Sequence, residues 1–139
     1  MALKSLFPDE MMETKGSNSL TLETIAGKLT HFHEQLHLLH WQTKSYAEHQ
    51  ALGSLYDYVH DVKDEIVEKI MGYTGKTAKA FKIEALVDNA DCKTIVINLI
   101  SFAKQLEEFA EANNMPDIEN ISQSLSGEAA KTKYLLTLS

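Results

Sequence analysis

The stretch SYAEHQALGSLYDYVHDVKDEIVEKI, residues 45–70, decides the fold. Its apolar residues recur at steps of three and four, which places them along one face of a helix. These residues are Leu52, Leu55, Val59, Val62, Ile66 and Ile70. The opening Ser45-Tyr46-Ala47-Glu48 has the form of a capping box, in which serine and glutamate satisfy free amides at a helix start. The spacing therefore predicts a long helix that ends near Gly72 or Gly75.

A shorter stripe of the same kind precedes this stretch. It consists of Ile25, Leu29, Phe32, Leu36 and Leu39. The pattern begins after Ser19 and resets near Lys44, so the turn between the two predicted helices is very short. Helices joined by a short turn are expected to pack antiparallel.

Two further helices are predicted in the second half of the chain. Asp91 is the expected cap of the third helix, and Asn113-Asn114-Met115-Pro116 ends it. The inward stripe of the third helix is Ile95, Leu99, Phe102, Leu106 and Phe109. The inward stripe of the fourth helix is Ile118, Ile121, Leu125, Thr132 and Leu136. Gly127 in the fourth helix costs up to about 1 kcal/mol against alanine, which a close helix contact would explain.

The connection over residues 73–90 must cross from the end of the second helix to the start of the third, with a short helical turn expected over residues 83–87. Two antiparallel pairs joined by one long connection predict an all-α, ferritin-like four-helix bundle with a crossover between its second and third helices. The expected domain covers residues 19–139. Residues 1–18 lack periodicity and are expected to form a flexible arm.

Composition restricts the function. The chain has 139 residues, 44% of them hydrophobic, and a net charge of −7. Such an acidic chain is a poor candidate for nonspecific binding to a phosphate backbone, whereas acidic surfaces attract cations. Near the N-terminus Lys4 and Lys15 stand against Asp9, Glu10 and Glu13. DNA binding is therefore not expected.

Other sequence features bear on location. No apolar run approaches the roughly 18 residues of a membrane span, and no signal peptide is expected because a basic region followed by an apolar stretch is missing. The single cysteine, Cys92, has no internal partner for a disulfide. A cytoplasmic location and a structural thiol are expected.

The candidate metal ligands lie on the first two helices. The six histidines are His31, His33, His37, His40, His49 and His60. His33, His37 and His40 share one side of the first helix, either as edge residues or as ligands. Opposite the apolar stripe of the second helix lie Asp57, Asp61, Asp64 and Glu68. That pattern is typical of a solvated face, although carboxylates at i and i+4 can also converge on one hard cation.

Several of these residues follow a known motif. His40-Trp41, then His49, then Leu55-Tyr56-Asp57, then Asp64 and Glu68 in a D-x-x-x-E pattern closely resemble the Dps (mini-ferritin) family. The resemblance covers roughly residues 22–72. It implies an iron-binding ferroxidase that oxidises ferrous iron with peroxide or oxygen and stores ferric iron in a shell of twelve subunits.

The resemblance also assigns residues. It implies His40, His49, Asp64 and Glu68 as the metal ligands, with zinc as another plausible occupant. The turn between the two histidines is shorter here than is usual in the family. Gly53 stands where many members carry an acidic residue that helps to hold a second iron. One metal position is therefore expected rather than a di-iron centre.

Helix geometry adds an independent constraint. His49 and Asp64 are fifteen residues apart on one predicted helix, which separates them by about 22 Å. They cannot bind the same ion within one chain. If these four residues form a site, two chains must supply it, and a twofold interface would create two such sites per dimer.

Two alternatives stay open. Glu34-x-x-His37 and Asp57-x-x-His60 resemble the ligand pairs of larger ferritin-like di-iron proteins, but no matching pair occurs on the fourth helix. The chain would otherwise be a divergent ferritin-like dimer or scaffold protein without ferroxidase activity. The shortened turn and Gly53 motivate that second alternative.

Overall fold

The computed structural model describes residues 20–138, so the arm expected over residues 1–18 lies outside them. Four helices follow one another: α1 (Leu22–Gln42), α2 (Tyr46–Thr74), α3 (Cys92–Ala112) and α4 (Pro116–Leu136). The described part of the chain contains no strand, which confirms the all-α prediction. Among residues 20–138, no helix combines the length and the apolar character needed to cross a membrane.

One hydrophobic core joins the four helices. Every residue of the two stripes predicted on α1 and α2 is buried. On α3 and α4 the buried face is shifted, because Ala103, Ala110 and Ala129 are buried while Phe109 and Ile121 are only half-buried. A stripe drawn through the large apolar residues misses small buried side chains, which explains the shift.

The predicted caps of α2 and α3 are confirmed, with one difference in detail. Ser45 accepts a hydrogen bond from the amide of Glu48 at 3.2 Å, and Asp91 caps α3 through the amide of Thr94 at 3.0 Å. In a reciprocal capping box Glu48 would accept from the amide of Ser45. Here Thr43 intervenes, because its hydroxyl accepts from that amide and donates to Glu48 at 2.5 Å. Gly75, with a φ of 73°, ends α2.

The connection between α2 and α3 lies along α1. The amide of Lys79 donates to Glu23 near the start of α1, and the amide of Asn89 donates to Gln42 at its end. The connection therefore returns along the length of the bundle, so α3 runs parallel to α2 and antiparallel to α1.

The helical turn expected over residues 83–87 is wrong, since no helix forms there. From residue 23 to residue 42, α1 rises about 28 Å. Residues 79–89 span about 33 Å when extended but only about 15 Å as a helix. Only the extended form is long enough to cover the length of α1. Side chains of α1 form hydrogen bonds with part of its backbone.

Two glycines have opposite surroundings. A Cβ on Gly27 would lie 2.4 Å from the backbone oxygen of Lys82 in the crossover. The glycine therefore permits the crossover to approach α1 closely. Gly127 is exposed, and within residues 20–138 a Cβ there would meet no neighbouring atom within 4 Å. A close helix contact within the described residues therefore does not explain Gly127.

These surroundings predict opposite effects of alanine. Gly127→Ala is expected to stabilise the protein by about 0.5–1 kcal/mol, because alanine is the better helix former. Gly27→Ala is expected to destabilise it by about 1–2 kcal/mol, because overpacking against backbone outweighs the same propensity gain. Urea unfolding of both variants measures this difference. Equal stabilisation by the two substitutions would contradict the close contact at Gly27.

Candidate functional site

His40 and His49 lie face to face where α1 meets α2. The turn of residues 43–45 places the end of α1 beside the first turn of α2. The two imidazole rings are stacked, with centroids 3.6 Å apart and planes inclined by 18°. Nδ1 of His40 lies 2.7 Å from the carbonyl oxygen of His49, and Nδ1 of His49 lies 2.8 Å from the carbonyl oxygen of His40.

This reciprocal pair fixes the proton positions. A carbonyl oxygen only accepts hydrogen bonds, so both Nδ1 atoms must donate. In the neutral form of each ring, the lone pair is then on Nε2. Metal-binding histidines are commonly oriented in this way, with one ring nitrogen donating to a carbonyl and the other facing the ion. His40 and His49 are thus oriented so that Nε2 of each ring is available to bind a metal ion.

The stack also restricts what the pair binds. A ligating nitrogen holds its ion close to the plane of its own ring, and two nearly parallel rings at 3.6 Å do not share an in-plane point nearby. The two nitrogens therefore serve different ions, or one ring must turn before both serve the same ion.

Gly53 explains why His40 fits against α2. A Cβ at this position would lie 3.0 Å from Cε1 and 3.2 Å from Nδ1 of His40. Both contacts are tighter than ordinary packing. The imidazole of His40 therefore occupies the space that a larger residue would enter.

Asp64 and Glu68 lie further along α2 and are exposed. No ion pair to either carboxylate is present within residues 20–138. The neighbouring Lys69 is engaged by Glu65 at 2.8 Å and by Asp117. About 22 Å of helix separates His49 from Asp64, so one chain does not bring the four predicted ligands together. Within that described range, no group of three or more histidine, cysteine or acidic side chains is arranged to hold a metal ion.

A continuous row of aromatic rings, absent from the sequence prediction, extends from the histidine pair along the α1–α2 surface. We call it the imidazole ridge, and its members are His60, His33, His37, Tyr56, His40 and His49. Tyr56 stacks on His37 with centroids 4.2 Å apart and meets His40 edge-on at 5.2 Å. The spacing of His33, His37 and His40 indicated that they share one side of α1. The contributions of Tyr56 and His60 depend on the register between helices, which periodicity does not reveal.

His33 gives the ridge a pH dependence. Burial is the main cause that lowers the pKa of His33, and Glu34 opposes it. The folded state therefore binds this proton less readily than the unfolded chain. The resulting stability is present above the ordinary histidine pKa of about 6.5 and is lost as pH falls below it.

This predicts a pH-dependent difference between wild type and His33→Gln. The variant is expected to lose less stability than wild type when the pH is lowered through about 6.5, because glutamine does not titrate. Urea unfolding midpoints on both sides of that pH measure the change. A parallel decline in the two proteins would contradict the role of His33.

The other candidate ligands do not form a buried cage. Glu34 is exposed and lies 3.3 Å from Nδ1 of its neighbour His33, while Asp57 is exposed on the outer side of α2. Inward-facing carboxylates are the feature that larger di-iron bundles need, and these two do not supply it.

Burial raises the pKa of the half-buried Cys92 thiol, with Glu48 and Asp91 adding to the effect. A raised thiol pKa agrees with a structural role.

Comparison with known proteins places the chain in a family. Residues 40–136 match the family of unknown function DUF5856. The chain belongs to this family. The match includes all four predicted ligands and begins at His40. The chain is also similar to the uncharacterized 14.6 kDa protein in the mobD–ri intergenic region of Enterobacteria phage T4, with 26% identity over 102 residues. That alignment covers 73% of this chain and 77% of the phage protein. No solved structure matches the chain significantly.

Proposed function

We propose that this chain is a Dps-like, ferritin-like protein that binds ferrous iron at a site shared by two copies and oxidises it with peroxide or oxygen. The observation that carries the proposal is the reciprocal pair of His40 and His49, which leaves Nε2 of each ring as the available donor. The crossover along the bundle supports the ferritin-like assignment.

The ligand set suits iron as a substrate. Nitrogen and carboxylate donors with open positions are typical of redox-active iron. His40 and His49 would act as neutral donors once one ring has turned out of the stack, while Asp64 and Glu68 of the second copy would supply negative charge that favours the ferric product. Each ferrous ion gives up one electron to the oxidant. Zinc would suit the same donors.

Features of the exposed surface support pairing through α1 and α2. Trp41 and Tyr46, beside the histidine pair, are 67% and 73% exposed. Large exposed aromatic side chains are enriched at protein interfaces. Twofold pairing would place the histidine end of one copy against the Asp64 and Glu68 end of the other. A twelve-subunit shell, ferric storage and a cytoplasmic location stay predictions from the sequence.

A second candidate function is a ferritin-like dimer or scaffold that lacks ferroxidase activity. Two observations favour it. The stacked rings of His40 and His49 do not point both Nε2 atoms at one ion. The ring of His40 also fills the space that an acidic side chain for a second iron would need at position 53.

Iron oxidation separates the two functions. Ferrous iron and peroxide are mixed with wild type, with His40→Ala and with the control His31→Gln, whose residue contacts the crossover instead of the ridge. Formation of ferric iron is followed by absorbance. The proposal expects rapid oxidation by wild type and His31→Gln, with only the background rate for His40→Ala. Equal rates in wild type and His40→Ala would favour the scaffold.

A further inference from the structure

His33 of α1 and His60 of α2 lie side by side on the imidazole ridge, at its end remote from His49. We propose that these two residues form a separate cation site, contained within one chain, for a nitrogen-preferring divalent transition metal such as Zn²⁺ or Cu²⁺. The site uses neither His40 nor His49, and it does not depend on pairing of two copies.

The ring geometry is the first support. Zinc lies about 2.0–2.1 Å from a ligating imidazole nitrogen, and hence about 3.2 Å from the ring centre. Two imidazoles at a tetrahedral angle on one ion therefore have centroids about 5.2 Å apart. The centroids of His33 and His60 are 5.1 Å apart, and their planes are inclined by 42°. The parallel rings of His40 and His49, at 3.6 Å and 18°, lack this relation.

The surroundings of His33 are the second support. Nδ1 of His33 lies 3.3 Å from a carboxylate oxygen of Glu34. A carboxylate on one ring nitrogen orients the ring and makes the other nitrogen a better metal ligand. Burial, which lowers the pKa of His33, keeps its ring neutral and so competent to bind a metal near neutral pH.

The donor set also defines the class of cation. Within residues 20–138 no third histidine, cysteine or acidic side chain completes such a group, so water would fill the remaining positions. Imidazole ligands select zinc, copper or nickel over calcium and magnesium, which prefer oxygen. The positive charge of Lys63 acts on His33, where it lowers the pKa, and it would also disfavour a cation bound there. The site is therefore expected to bind its metal weakly, and it bridges α1 to α2.

Zinc-dependent stability tests this inference. Thermal unfolding is measured with and without Zn²⁺ in the His49→Ala background, which disables the shared iron site. Because the bound metal links two helices of the folded state, zinc is expected to raise the unfolding midpoint. Adding His60→Gln or His33→Gln is expected to weaken zinc binding at least tenfold and to remove the increase, whereas adding His31→Gln should preserve it. Circular dichroism before heating confirms that each variant is folded.

Two outcomes would overturn the inference. One is the absence of any zinc effect in the His49→Ala background. The other is an increase that survives both His60→Gln and His33→Gln. Iron oxidation by the single variant His60→Gln distinguishes this inference from the proposed function, because that variant should oxidise iron normally although the same substitution removes the zinc effect in the His49→Ala background.

Discussion

Replacing Asp64 by asparagine is expected to reduce iron oxidation to the background rate, although about 22 Å of helix separates this residue from His49 in its own chain. Asparagine keeps the size of the side chain and removes the negative charge that stabilises ferric iron. Asp64 is exposed and makes no ion pair within residues 20–138, so the folded chain should hardly change. Ferric absorbance after mixing with ferrous iron and peroxide gives the rate, and circular dichroism reports the fold.

Asp57→Asn is the matched control. Asp57 lies seven residues before Asp64 on the same exposed side of α2, so its replacement removes the same charge from the same face. The shared-site proposal expects near-normal oxidation by this variant. Loss of activity in Asp57→Asn with normal activity in Asp64→Asn would instead support the alternative ligand pair of Asp57 and His60.

Gln35→Leu is expected to destabilise the protein by about 1–3 kcal/mol, because it leaves the partly buried amide and carbonyl of Val87 in the crossover without their partner. Gln35 is fully buried. Its amide donates to the carbonyl oxygen of Val87 at 2.9 Å and accepts from the amide of Val87 at 2.8 Å. Leucine has a similar volume, so the loss of stability would come from the hydrogen bonds and not from a cavity. Urea unfolding measures the difference.

Gln42→Leu is the control for that change. Gln42 bonds the same crossover through the amide of Asn89 and the carboxylate of Asp88, but these contacts are exposed. Water can replace exposed hydrogen bonds, so the expected cost is below about 1 kcal/mol. A cost for Gln35→Leu no larger than that for Gln42→Leu would contradict the claim that the buried side-chain amide of Gln35 holds the crossover against α1.

The sequence predicts the helices of this protein better than their connection. The apolar stripes on α1 and α2 are long and regular, so periodicity places their buried faces correctly. The extended crossover was not predicted because its backbone bonds to side chains such as Gln35 and His31, more than fifty residues away in sequence. Local pattern carries no information about such distant partners.

The candidate site, like the fold, was predicted only in part from the sequence. The short turn at Lys44 joins the helix that carries His40 to the helix that carries His49, and the structure places the two rings in contact. Their stacking and their exchange of carbonyl hydrogen bonds depend on the exact approach of α1 to α2 and on the missing side chain at Gly53. The roles of Asp64 and Glu68 depend on a second copy of the chain, so the sequence alone indicated them only through resemblance.

Mixing two inactive variants tests the shared iron site most directly. One variant carries His40→Ala and His49→Ala, and the other carries Asp64→Asn and Glu68→Gln. Each alone is expected to oxidise iron at the background rate. When the two are co-expressed in equal amounts, half of the dimers are mixed, and each mixed dimer has one intact site and one site without ligands. Oxidation should then recover to about a quarter of the wild-type rate. A co-expressed mixture that contains mixed dimers but stays at the background rate would contradict a site shared between two chains.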